Sequence, residues 1–157
     1  MDVLPNDLRP RIAGPYIWYV ATVNADGSPH VSPMWVGLDG DLVLFNTAVG
    51  RVKERNLRRD PRVSLSHASP ENPYDRIRIS GRVVRFVEGP EADRNIDELA
   101  RSYLGTDRFE WRIPGEQRVM VLVEPLRVSH VIGVEPLPSR APGGGPPDPS
   151  AQEDRPA

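Results

Sequence analysis

The chain has 157 residues, 20 of them basic and 22 acidic, for a formal net charge of -2 and a pI near 5.9. That length suits one domain with a real core, the charge balance argues against general nucleic-acid binding, and the absence of cysteine excludes thiol nucleophiles, disulfides and cysteine-ligated metals. No apolar run approaches the roughly 18 residues of a membrane span, and the N-terminus lacks basic and apolar secretory regions, so a soluble, cytoplasmic protein is expected.

In chain order, the first β signal is 16–24, aromatic and β-branched, which closes on the Ala25-Asp26-Gly27 hairpin turn. A second strand, 30–38, alternates as far as Pro33, and a proline there implies an edge, a bulge or an interrupted ladder. Asp39-Gly40 turns the chain into a third strand, 41–46, and Thr47 is placed to cap the short helix that follows. Strand 62–68 sends Val63 and Leu65 inward and Ser64 and Ser66 outward. The long strand 75–88 carries Gly81 in its interior, which suits a bulge or a barrel corner. Residues 90–104 read most clearly as helix: Pro90 and the acidic Glu91 and Asp93 open it, Ala92, Ile96, Leu99 and Tyr103 repeat on one face, and Gly105 stops it. Two further strands, 118–124 and 126–134, complete the set. Six or seven antiparallel strands with two modest helices predict a mainly β fold, a small closed or half-closed barrel spanning residues 1–135. The Pro- and Gly-rich segment 136–157 has too little apolar surface to order itself and is expected to be a disordered tail.

Chemistry concentrates in residues 51–59, which hold five cations: Arg51, Lys53, Arg55, Arg58 and Arg59. A strand, a turn and a basic helix N-terminus together make a phosphate-binding device, because free backbone N–H groups, the helix dipole and cationic side chains converge there. Only Glu54 offsets these charges nearby in sequence. Arg51 and Arg55 share a helical face while Lys53 points elsewhere, so the five do not all hold one phosphate. Val52 and Leu57 are expected to anchor the helix to the core, and Arg58 to Arg62 to serve structure or solubility.

Ser32-Pro33-Met34-Trp35 is the second candidate. A proline-interrupted strand leaves backbone groups unused by any neighbour, which suits the edge of a planar heterocycle or is simply an edge strand. Trp18, Trp35 and Trp111 read as core or interface residues. His30, His67 and His130 lack metal-ligand spacing, and no serine sits in a nucleophile-elbow pattern. With no protein-borne nucleophile on offer, the inventory favours a bound cofactor that does the chemistry.

The order of strand, Asp-Gly turn, strand with Ser-Pro-Met-Trp, strand ending Phe-Asn-Thr, and helix Arg-Val-Lys-Glu-Arg-Asn-Leu-Arg-Arg-Asp-Pro-Arg resembles the pyridoxamine 5'-phosphate oxidase-like split β-barrel superfamily. The likeness covers roughly residues 10–134 and is closest to the coenzyme F-420 (deazaflavin)-dependent oxidoreductases. It implies a six-stranded antiparallel split barrel, a homodimer, and a cofactor in a groove between subunits. By that resemblance the cofactor phosphate maps to Asn46, Thr47, Arg51, Val52, Lys53 and Asn56, and the ring to Val31, Ser32, Pro33 and Met34. A contact from the second subunit maps near Tyr74. Tyr74 and His30 are the candidates to donate a proton to a small-molecule substrate. F-420 is the expected cofactor, FMN the alternative, and a non-catalytic flavin- or deazaflavin-binding protein the third reading. The family's C-terminal Arg-containing substrate motif is missing, so pyridoxamine phosphate oxidation is not expected.

Overall fold

A computed structural model describes residues 3–133, so Val134 and the expected tail at 136–157 lie outside the described residues. Seven antiparallel strands form one sheet, in the order β2-β1-β5-β6-β7-β4-β3. They are β1 (Trp18–Val23), β2 (Pro29–Met34), β3 (Val36–Asp39), β4 (Leu42–Ala48), β5 (Arg62–Ala68), β6 (Asp75–Glu88) and β7 (Arg118–Ile132). The two outer strands, β2 and β3, are consecutive in sequence and separated by Trp35 alone. One residue can bridge opposite sheet edges only if the sheet curls until those edges meet. The result is a split barrel whose seam the chain crosses at Trp35.

Among the described residues the strands number seven, within the six or seven read from the pattern and one more than the resemblance implied, and the segments differ from those expected. The predicted strand 30–38 divides at Trp35 because its halves pair with different partners, β2 with β1 and β3 with β4. The two predicted terminal strands fuse into β7, which pairs with β6 along its length and absorbs Pro125 at a register shift opposite Gly81. Gly81 marks that bulge for a steric reason: a Cβ there would lie 2.5 Å from the Glu124 carbonyl oxygen. Pro33 sits on an edge strand, as expected. Pro29 and Pro33 share one register parity, so a single phase of the β1–β2 ladder places both at positions that donate nothing to β1.

Alternation builds two cores. Trp18, Val20, Phe45, Leu65, Ile77, Ile79 and Val121 fill the barrel, and Leu4, Leu8 and Ile12 plug it. The last two come from a 3-10 turn (Asn6–Leu8) and the short helix α1 (Arg9–Ala13), which the sequence reading did not anticipate. Helix α3 (Pro90–Leu104) lies outside β4 and β7 and packs Ala92, Ile96 and Leu99 on Leu44, Met120 and Leu122. Both faces of β4 and the first half of β7 are therefore covered, so each reads as a continuous buried run. Its Gly105 cap is left-handed at φ 70°, as the helix reading required.

Helix α2 (Val52–Arg59) packs on β1 through Leu57 and through Asn56, whose amide donates to Thr22 Oγ1 at 3.0 Å and Asn24 Oδ1 at 2.9 Å. Two expectations fail here. Thr47 does not cap the helix, because pairing with β7 carries β4 on to Ala48; the N-cap is Arg51, without a side-chain cap. Glu54 instead accepts the Gly50 N–H at 3.0 Å. Val52 does not anchor the helix: it is 41% exposed, roughly a third of a turn from the centre of the buried set Glu54, Asn56 and Leu57.

Candidate functional site

The seam opens into a cleft of about 270 Å³. Its apolar wall comprises Ile17 before β1, Pro33, Met34 and Trp35 at the seam, Ile96 and Leu99 from α3, and Phe109 from the loop that follows α3. Its polar end is Asn46, Arg51 and Arg118. Trp35 stacks on Tyr103 with ring centroids 5.3 Å apart and meets Phe109 edge-on at 6.0 Å. Tyr103 ties the seam together, donating to the Tyr16 carbonyl at 2.6 Å and accepting from the Val36 N–H at 2.8 Å. The aromatic wall is thus held at both strand starts.

The polar end is positioned by register. Pairing of Ala48 with Arg118 brings the turn before α2 beside the turn before β7, and Val49 N–H donates to the Gln117 carbonyl at 2.9 Å. Arg118 is only 7% exposed. Its Nε donates to Asn46 Oδ1 at 2.9 Å, and a second nitrogen donates to Glu116 Oε1 at 2.8 Å. Glu116 Oε2 accepts from Arg51 at 2.7 Å. Asn46 also donates to the Ala92 carbonyl and Asn95 Oδ1, so its amide is fully committed to holding Arg118 and α3.

Burial dominates the electrostatics. Desolvation, with Glu116 opposing it and Arg51 and Arg112 reinforcing it, holds the Arg118 guanidinium below its ordinary range. Burial, then the guanidiniums of Arg51 and Arg118, lowers the Lys53 ammonium. Burial works to raise the Glu116 carboxyl, but hydrogen bonds from Arg51 and Arg118 outweigh it, and the net shift is downward. Among the described residues no carboxylate lies within ion-pair distance of Lys53. Arg51 and Arg118 thus share one carboxylate, and Lys53, which feels both guanidiniums, has none among the described residues.

The remaining cations of α2 are committed elsewhere. Arg58 bridges Glu54 and Glu88 and covers the Phe86 ring at 4.1 Å. Arg59 donates to the Val23 carbonyl and to Asn56, and Arg55 to the Gly50 carbonyl. Glu54 is therefore not the sole counter-charge; Glu88 and Glu116 arrive from distant sequence because β6 ends and β7 begins beside the helix.

Of the residues singled out from sequence, Pro33, Met34, Asn46 and Arg51 meet in the cleft. Lys53 is half-buried and near enough to Arg51 and Arg118 to feel their charges but does not line the cleft, and Thr47 is buried with a hydroxyl that has no hydrogen-bond partner among the described residues. Ser32 Oγ and His30 Nδ1, on the inward face of β2, are likewise buried without partners. Val31 faces outward, 62% exposed, and Val52 is exposed as well. Asn56 spends its amide on β1. Tyr74 precedes β6 beside Gly133, at the opposite end of the β6–β7 hairpin from Arg118, and does not line the cleft. Of the tryptophans, Trp18 is core, Trp35 lines the cleft, and Trp111 is 63% exposed rather than core. Sequence reasoning missed Arg118, Glu116 and Phe109. A charged residue heading the apolar run Val119–Val123 was the available signal for Arg118; nothing local marked the other two.

Comparison with known proteins bears on this geometry. The sequence model of the family described as pyridoxamine 5'-phosphate oxidase matches residues 4–131. A solved F420 reductase is 30% identical, covers 80% of this chain and 98% of its own, and superposes with a TM-score of 0.69. A conserved hypothetical protein from Mycobacterium tuberculosis, 22% identical over 83% of this chain and 86% of its own, gives 0.65. The HupZ protein of Group A Streptococcus, 15% identical over 81% and 94%, gives 0.60. The last two share the fold.

Proposed function

The chain belongs to the pyridoxamine 5'-phosphate oxidase family, and from that premise we propose that it is a coenzyme F-420-dependent oxidoreductase of a small organic substrate. One observation carries the reading: an apolar, aromatic-walled cleft whose polar end holds Arg51 and Arg118, with Lys53 close enough to feel both charges and without a carboxylate partner among the described residues. The 30% identity to a protein named F420 reductase supports deazaflavin over FMN.

The residues present fit such a group. A phosphate needs cations and donors, and Arg51 and Lys53 stand at the start of α2 while the unpartnered hydroxyl of Thr47 lies near the end of β4 just before it. A flat ring needs an apolar slot beside a strand edge, which Pro33, Met34 and Trp35 provide. When bound, the deazaflavin supplies hydride chemistry that no side chain here can. The chain's own task is to grip the phosphate, hold the ring against β2 and keep water from the wall formed by Trp35, Leu99 and Phe109. Charge-assisted bonds from Arg51 and Lys53 to phosphate contribute about 1.5–3 kcal/mol each.

A homodimer completes the site in this reading. The outward face of β1 and β2 presents Tyr19, 55% exposed, beside Ile17, Val31 and Pro33, an apolar patch at the cleft's lip. A second copy seated there brings its own Tyr74 toward this cleft. Titration of purified protein with F-420 and with FMN, followed by fluorescence and by sedimentation, tests the proposal. It expects tighter F-420 binding to a dimer; preference for FMN, no binding of either, or full affinity in a monomer overturns it.

A further inference from the structure

Glu116 occupies an unusual seat. One carboxylate oxygen takes Arg51 at 2.7 Å and the other takes Arg118 at 2.8 Å, so a single anion bridges the two arginines that line the polar end of the cleft. That is the arrangement an oxyanion of a ligand adopts between two guanidiniums. The two halves of the bridge differ. Side chains of Arg118 and Glu116 are 7% and 14% exposed, whereas that of Arg51 is 45% exposed. A buried pair is costly to break, while an exposed one exchanges partners at little cost.

The geometry points to Glu116 as an internal surrogate anion: it parks Arg51 beside the cleft until the ligand's phosphate takes that guanidinium over, and it stays on Arg118 throughout. This rests on reading the cleft as the site of a phosphorylated cofactor. The carboxylate has a reason to be there. Without it, Arg51, Lys53 and Arg118 would face one another unscreened in a partly desolvated pocket, which is destabilising. Its position on the turn from Ile113 to Glu116, immediately before β7, fixes it opposite Arg51 through the Ala48–Arg118 pairing. Glu116 therefore sets affinity by competition: it stabilises the free protein and weakens the complex.

The test is a double-mutant cycle on the full chain, with Glu116→Gln, which keeps shape and hydrogen bonding but removes the charge, and Arg51→Ala. Exchange of a half-exposed pair gives an expected gain in F-420 affinity of about 2–5-fold for Glu116→Gln. The same substitution in the Arg51→Ala background gives no gain. Weaker binding in Glu116→Gln makes Glu116 a structural prop and overturns the inference. An equal gain in both backgrounds reduces it to diffuse charge and overturns it too. Should Glu116→Gln fail to fold, Glu116→Asp, too short to span both guanidiniums, is expected to bind F-420 more tightly than wild type. Parallel titrations with FMN and with inorganic phosphate separate the two readings. Coupling with phosphate, in a protein that binds neither cofactor, sinks the proposed function and leaves the surrogate anion standing.

Discussion

Lys53→Ala is the substitution that most directly probes the proposed phosphate site. The half-buried ammonium is held below its ordinary pKa by burial and by Arg51 and Arg118, so in the free protein its charge is unfavourably placed. A bound phosphate reverses that, adding a charge-assisted bond of about 1.5–3 kcal/mol, or about 12- to 160-fold in Kd. Because an arriving anion also relieves repulsion among three cations, the loss should fall in the upper half of that range. Arg59→Ala is the control: its guanidinium is spent on the Val23 carbonyl and Asn56, so it should lower the melting temperature while F-420 affinity changes by less than about 2-fold. Fluorescence titration with F-420 measures both. Linkage adds a second readout. Lys53 must be protonated to hold phosphate, so wild-type affinity falls as pH rises through its lowered pKa, and Lys53→Arg should retain binding at high pH. Equal losses in Lys53→Ala and Arg59→Ala would refute the division of charges within α2.

Two predictions concern the scaffold. Gly81→Ala drives a Cβ to 2.5 Å from the Glu124 carbonyl oxygen and should destabilise the protein by about 1–3 kcal/mol in urea denaturation; a smaller change would mean that the bulge yields. His67 is pressed between Tyr16 and Trp18, its Nδ1 bonded to the Ile17 carbonyl and its Nε2 buried without a partner. Burial lowers its pKa, against the bond to Ile17, with Arg11 lowering and Asp75 raising it. The unfolded chain therefore binds the proton more readily: stability is complete above about pH 6.5 and declines as pH falls toward the folded value. His67→Gln should flatten that decline in thermal melts, and an unchanged slope would exclude His67 as its source.

Local signals were legible wherever a residue's role depends on its neighbours in sequence. Gly81 betrayed the bulge because only a residue without Cβ fits against an opposing carbonyl. Pro90, the Ala92–Ile96–Leu99 spacing and Gly105 delimited α3 because capping and periodicity act within a few residues. Pro33 announced an edge strand because it lacks a ladder donor. Val52 was misjudged because an eight-residue helix leaves its buried face to be set by whatever it packs on. Thr47 was misjudged because pairing with β7 prolonged β4 past the point where a cap was expected.

By itself the sequence determined a mainly β protein without thiols, with a basic helix behind an edge strand that carries a proline; periodicity, turn chemistry and composition suffice for that. Which of five cations face a ligand was decided by tertiary structure alone. Glu88 takes Arg58, Glu116 takes Arg51, and Arg118 enters the cleft beside Asn46 because the β6–β7 and β4–β7 registers bring residues 30 to 72 positions apart to within hydrogen-bond distance. Cations so close in sequence look interchangeable, and only their distant counter-charges separate those that hold the fold from those proposed to hold a phosphate.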